Sequence, residues 1–115
     1  MGATGLAGCP WKPSSSDVKS EVTVSVGPDG LFAFDPETIS VSPETTVVWV
    51  WEKGYHNIVT SSIPEDGSWE GTPGDATITY GRGYTYQKSF SVVGDYTYYC
   101  QPHLSAGMVG TVTVE

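Results

Sequence analysis

The chain is short of positive charge. Five Lys and Arg stand against thirteen Asp and Glu, for a formal net charge of −8 over 115 residues. That shortage excludes a partner bound through its phosphate backbone, because nucleic-acid affinity rests on cations that displace condensed counterions. Charged residues reach only 16%, below the ~25% of an average soluble protein, so the acidity reflects missing cations and does not by itself mark a salt-loving source. Long apolar runs are missing too: no stretch approaches the ~18 residues needed to cross a bilayer as a helix. Helical periodicity is absent at any useful length, which removes the helix-bundle and α/β classes. Histidine and cysteine are scarce, two of each, too few for a multi-centre metalloenzyme or a disulfide scaffold. The length suits a single domain with one core.

What is present is β-pattern. Past residue 20, short alternating runs are separated by turn residues, as in an all-β sandwich or barrel. Val22, Val24 and Val26 share one face of a strand from Glu21 to Val26, and Pro28-Asp29-Gly30 turns the chain. Further strands are predicted over residues 32–34 and 38–41. The run from Thr45 to Glu52 sets Val47, Trp49 and Trp51 against Val48 and Val50, which predicts a central strand buried on both faces. A strand over 55–60 opens with His56, residues 61–79 form a long connection with a short strand at 68–70, and strands follow at 84–90, 96–100 and 109–114. About eight strands in two sheets make a Greek-key β-sandwich.

Residues 1–20 differ in kind. Small, Pro- and Ser-containing and without period, they read as a flexible tail or linker ahead of a domain at 21–115. Within the tail, Leu6-Ala7-Gly8-Cys9 resembles the lipobox at which lipoprotein precursors are cut and lipidated on cysteine. Only five residues precede it, so it is either the remnant of a trimmed signal peptide or a chance match in Gly/Ala-rich sequence. In the first case Cys9 carries a lipid anchor, and the protein faces out of the cytoplasm, membrane-associated through its tether.

Soft donors concentrate near the C-terminus. Cys100, His103 and Met108 are spaced C-x2-H-x4-M, and if Cys100 ends one strand and Val109 begins the next, a single loop aims all three at one point. His56, after the Lys53-Gly54 turn, can reach the same end of the sandwich. Two imidazoles, a thiolate and a thioether form the ligand set of a blue-copper electron-transfer centre, in which soft sulfur suits Cu(I) and imidazole tolerates Cu(II). Structural zinc sites rarely take a thioether. Taken singly, a strand cysteine or a methionine is ordinarily packing; the combination, using both histidines, points to one copper ion. Pro102 lacks an N–H and so withholds one hydrogen bond from the Cys100 sulfur, a lever on potential. Asn57 is placed to tie its segment to the Cys100 loop.

The stretch from Tyr99 to Val114 resembles the C-terminal copper loop of the plastocyanins, and His56-Asn57-Ile58-Val59 resembles their upstream His-Asn segment. Phe32-Ala33-Phe34-Asp35-Pro36 with Ser40-Val41-Ser42-Pro43 fits the same pattern. Trp49-Val50-Trp51, the region of Trp69 and the lipobox-like tetrapeptide lean toward the halocyanins, plastocyanin-like membrane-attached proteins of haloarchaea. The resemblance covers residues 21–115. It implies a cupredoxin fold, the type 1 copper ligands His56, Cys100, His103 and Met108, and one-electron transport between membrane redox complexes by a monomer. It also implies an electron port at the solvent edge of His103, rimmed by residues 28–31, Tyr55 and residues 104–107. Residues 61–79 depart from the pattern, so an acidic docking patch is not carried over to Glu65, Asp66, Glu70 and Asp75. An oxidase or nitrite reductase would need further histidines, and a Cys-His nucleophile would need an orienting third group. A copper-delivery module would use the same ligands and differ in colour and redox reversibility.

Overall fold

The computed structural model describes residues 20–115. The expected tail, apart from Ser20, and with it Cys9, lies outside the described residues. Eight strands form: β1 (Glu21–Val26), β2 (Phe34–Asp35), β3 (Thr38–Val41), β4 (Thr46–Trp51), β5 (Val59–Ser62), β6 (Thr85–Ser89), β7 (Gly94–Tyr99) and β8 (Val109–Val114). They make two four-stranded sheets, ordered β2-β1-β4-β6 and β3-β8-β7-β5. The all-β sandwich read from the alternation is the observed fold.

Parallel pairs lie inside both sheets. β1 runs parallel to β4 with Val22 opposite Val47, Val24 opposite Trp49 and Val26 opposite Trp51, and β3 runs parallel to β8. Of the two strands between β1 and β4 in sequence, β2 pairs with β1 and β3 sits in the other sheet, which gives the crossed connections of a Greek key. Because side chains alternate along a strand, this register sends the two rows of the β1–β4 pair into the same core. Val24, Val26, Val47, Trp49 and Trp51 are all buried. Opposite them stand Tyr96, Tyr98 and Val112 from the second sheet.

Aromatics dominate that core, and their polar tips are satisfied. Trp49 Nε1 donates to Tyr98 Oη at 3.1 Å, and Trp69 Nε1 donates to Tyr86 Oη at 2.8 Å. Trp49 and Trp69 stack with centroids 5.6 Å apart. A buried indole or phenol without a partner would cost about 1–3 kcal/mol, so these pairs allow the large rings inside.

Four local expectations are corrected. β4 is central in its sheet, but only its Val47, Trp49 and Trp51 face is buried; Thr46, Val48 and Val50 are half-buried, because no second layer of the described residues covers them. The strand foreseen at 32–34 shrinks to Phe34–Asp35, since Phe32 turns outward. The strand foreseen from residue 55 begins at Val59, and His56 makes only an isolated bridge to Tyr80. No strand forms at 68–70; there the buried Trp69 side chain fixes the chain, aided by the bond from Thr60 Oγ1 to Trp69 O at 3.1 Å.

Candidate metal centre

β7 and β8 pair antiparallel up to Tyr99 opposite Val109, so the segment between them must reverse within a short span. It does so as 3-10 turns over Gln101–Ala106, ended by Gly107 in the left-handed region (φ 84°). The ends are clamped: Cys100 N–H donates to Met108 O at 3.0 Å, His103 N–H to Cys100 O at 3.1 Å and Met108 N–H to His103 O at 3.3 Å. Cys100 and Met108 are thereby fully buried, while His103 remains half-buried. The single loop foreseen from the spacing is the one observed.

His56 arrives from the crossing between the sheets, after β4 and before β5. Its carbonyl accepts from Trp51 Nε1 at 2.9 Å and from Tyr80 N–H at 3.0 Å. Asn57, also buried, joins this segment to the other loop. Its Oδ1 accepts from Gln101 N–H at 2.9 Å, and its Nδ2 donates to Ala76 O at 2.9 Å and Ile78 O at 3.0 Å. The tie expected of Asn57 is present, and it also anchors the 61–79 connection.

Three donor atoms then meet. His56 Nδ1 and His103 Nδ1 are 3.2 Å apart, and Cys100 Sγ lies 3.5 Å from the first and 3.4 Å from the second. The point equidistant from all three is about 2 Å from each, a metal–nitrogen bond length for a protein-bound first-row ion. Met108 is buried at the same loop, its backbone bonded to Cys100 and His103.

Burial sets the protonation. Desolvation, reinforced by the charge of His103, lowers the pKa of His56 to about 4, so its imidazole is neutral near pH 7 and has a lone pair to give. Desolvation raises the Cys100 thiol, opposed by the backbone N–H groups of Asn57 and His103. Pro102, between the second of these and the cysteine, has no N–H to add. A thiolate is therefore disfavoured here without a cation, and a metal ion is the cation the donors can surround. On its far side His56 Nε2 is buried with no hydrogen-bond partner among the described residues, next to Gly27, where a Cβ would lie only 2.7 Å from Nε2.

Two residues of this neighbourhood escaped the sequence reading. Phe32, foreseen as a strand residue, lays its ring flat on His103, centroids 4.2 Å apart at 15°, and meets His56 edge-on at 6.5 Å. Gly27, unremarked in sequence, backs His56. A glycine just before a Pro-Asp-Gly turn was the one signal for it; Phe32 gave none.

Comparison with known proteins agrees with this geometry. The family described as copper binding proteins, plastocyanin/azurin family, matches residues 20–115. Plastocyanin of Scenedesmus fuscus is 35% identical over 99 residues, 83% of this chain and 100% of that protein. Halocyanin of Natronomonas pharaonis is 40% identical over 97 residues, 82% of this chain and 55% of that protein. Among solved structures, the oxidized form of plastocyanin from Dryopteris crassirhizoma superposes with a TM-score of 0.64 at 34% identity, covering 82% of this chain and 100% of that one. A Cys-His-His triangle with two buried members on a Greek-key sandwich, with these relatives, has one reading: the chain belongs to the plastocyanin/azurin family of copper-binding proteins, a plastocyanin-like cupredoxin whose cofactor is copper.

Proposed function

We propose that the protein is a one-electron carrier built on a single type 1 copper ion held by His56, Cys100, His103 and Met108. The observation that carries this is the triangle of two Nδ1 atoms and one Sγ, 3.2 to 3.5 Å on a side, at a point where burial keeps the His56 imidazole neutral. Copper supplies the Cu(II)/Cu(I) couple, and soft sulfur with imidazole suits both states. The chain's residues supply rigidity. Three donors ride on one clamped loop and the fourth on a segment bonded to it through Asn57, so the cavity keeps its shape whichever charge it holds.

Electron exchange runs through the exposed edge of His103. Phe32 lies on it, and Leu31 and Leu104, the chain neighbours of Phe32 and His103, are like Phe32 about half exposed (58%, 49% and 53%), apolar surface that a redox partner protein can approach without desolvating a charge. The ring of Phe32 on His103 adds to that surface. The relatives named plastocyanin and halocyanin support a carrier over an enzyme. A monomer tethered through a lipidated Cys9 on the outer face of the cell membrane completes the proposal.

A visible spectrum of the copper-loaded protein before and after reductant tests it. An intense band that bleaches and returns on reoxidation is expected; a colourless site that holds only Cu(I) would mark a copper-delivery protein and overturn the carrier. Leu104→Asp should slow transfer to the physiological partner with the band unchanged.

A further inference from the structure

A groove of about 480 Å³ opens beside the His56 segment, walled by residues 53–55 and 79–82. Lys53 and Arg82 both line it, two of the chain's five cations, and no carboxylate of the described residues does. On a protein of net charge −8, a wall with cations and no acids stands out against its surroundings. Its floor is fixed. Tyr80 stacks on Tyr84 with centroids 4.0 Å apart at 13°, and Tyr80 Oη donates to Pro73 O at 2.6 Å.

Tyr55 forms the lip. Its side chain is 76% exposed, yet its backbone is held in the left-handed region at φ 68°, which a bulky residue rarely adopts. The bonds from Tyr55 N–H to Tyr80 O at 3.0 Å and from Tyr80 N–H to His56 O at 3.0 Å impose that conformation. Glycine would serve the turn without strain, so an exposed ring kept here at a cost in stability suggests that the ring itself is used.

We propose that this groove docks an acidic segment of a partner protein, with neighbouring carboxylates on Lys53 and Arg82 and an apolar side chain laid over Tyr55. Tyrosine and arginine are among the residue types most enriched where binding energy concentrates, and the guanidinium fork donates two parallel hydrogen bonds to a carboxylate. The charge pattern gives the selectivity: carboxylates elsewhere on the surface repel an acidic segment and leave this wall as its landing place. The proposal needs the fold alone and stands apart from the electron-carrier reading.

The test is an amide-resolved NMR titration of the copper(I) protein with a short peptide of alternating Glu and Phe. Inorganic phosphate and a Lys/Phe peptide of equal length serve as comparison probes. Saturable shifts confined to residues 53–55 and 79–82 are expected with the acidic peptide alone. The double variant Lys53→Glu with Arg82→Glu should weaken binding by about tenfold or more, while Lys53→Arg with Arg82→Lys retains most of it. Tyr55→Gly should raise the thermal midpoint, by relief of the left-handed strain, and still weaken the peptide. Shifts centred on Leu104, equal shifts with phosphate, equal binding of the basic peptide, or an affinity untouched by Tyr55→Gly would each overturn the proposal.

Discussion

Replacing Gly27 by Ala probes how tightly the fold backs its buried histidine, and Gly30 provides the control. Both glycines have left-handed backbones, at φ +72° and +76°; a Cβ at Gly30 meets nothing within 4 Å, whereas one at Gly27 lies 2.7 Å from His56 Nε2 and 2.9 Å from the Lys53 Cβ. Gly30→Ala therefore carries only the backbone cost of about 1–2 kcal/mol. Gly27→Ala carries that cost and an overlap as well. Ordinary contacts sit near ~3.5–4.0 Å, so the His56 ring must retreat by about 1 Å, at about 1–3 kcal/mol for an overpacked site. The expected totals are about 1–2 against about 2–5 kcal/mol, and each kcal/mol moves the thermal midpoint of a domain this size by about 4–8 °C. Only Gly27→Ala should also displace Nδ1 from the donor triangle, with a loss of copper affinity of about 10–100-fold and a shifted visible band. Calorimetry on both apo-proteins and a copper titration on both variants check this. Equal midpoints and equal affinities would show that His56 is not braced against Gly27, and the reasoning fails.

Asn57→Ala should cost about 1–3 kcal/mol by urea denaturation, since it removes three part-buried hydrogen bonds, from the Gln101 N–H and to two carbonyls; a loss well below about 1 kcal/mol would mean water replaces the amide. Stability should also fall in alkali. Burial pushes the Tyr98 phenol up to about 12, while the unfolded chain releases that proton near pH 10. The stabilisation is therefore complete below pH 10 and is lost as pH rises through about 12, amounting to about 2–3 kcal/mol. Tyr86 and Tyr96 are raised in the same direction by desolvation. Denaturation midpoints measured from pH 8 upward should show the decline, and Tyr98→Phe should flatten it; an unchanged slope would refute the assignment to Tyr98.

Much of this molecule was legible in its sequence because the informative residues act locally. Alternation gives β1, β4, β7 and β8 within a residue or two, since a strand with one buried face must repeat every second residue. The donors of the Cys100 loop are readable because their side-chain types and spacing define the chemistry. What was not readable depends on contacts far along the chain. His56 was expected at a strand start; the bridge to Tyr80 and the left-handed Tyr55 hold it in a turn instead. Phe32 looked like a strand residue and became a cover for His103, which no pattern within its own segment encodes. At Trp69, local β-propensity was overruled by side-chain bonds to Tyr86 and Thr60.

The position of His56, 44 residues before Cys100 and at the crossing from one sheet to the other, also bears on how the protein reaches its native state. A loop of three donors can form as soon as β7 and β8 zip together, whereas the last donor arrives only when the two sheets have closed over the aromatic core. Closure across such a separation is costly in chain entropy and slow, as in other β-rich topologies. The blue colour of the loaded protein would then report the final, cooperative step of folding, and a chain stalled before sheet closure would hold its metal loosely and reveal itself by being pale.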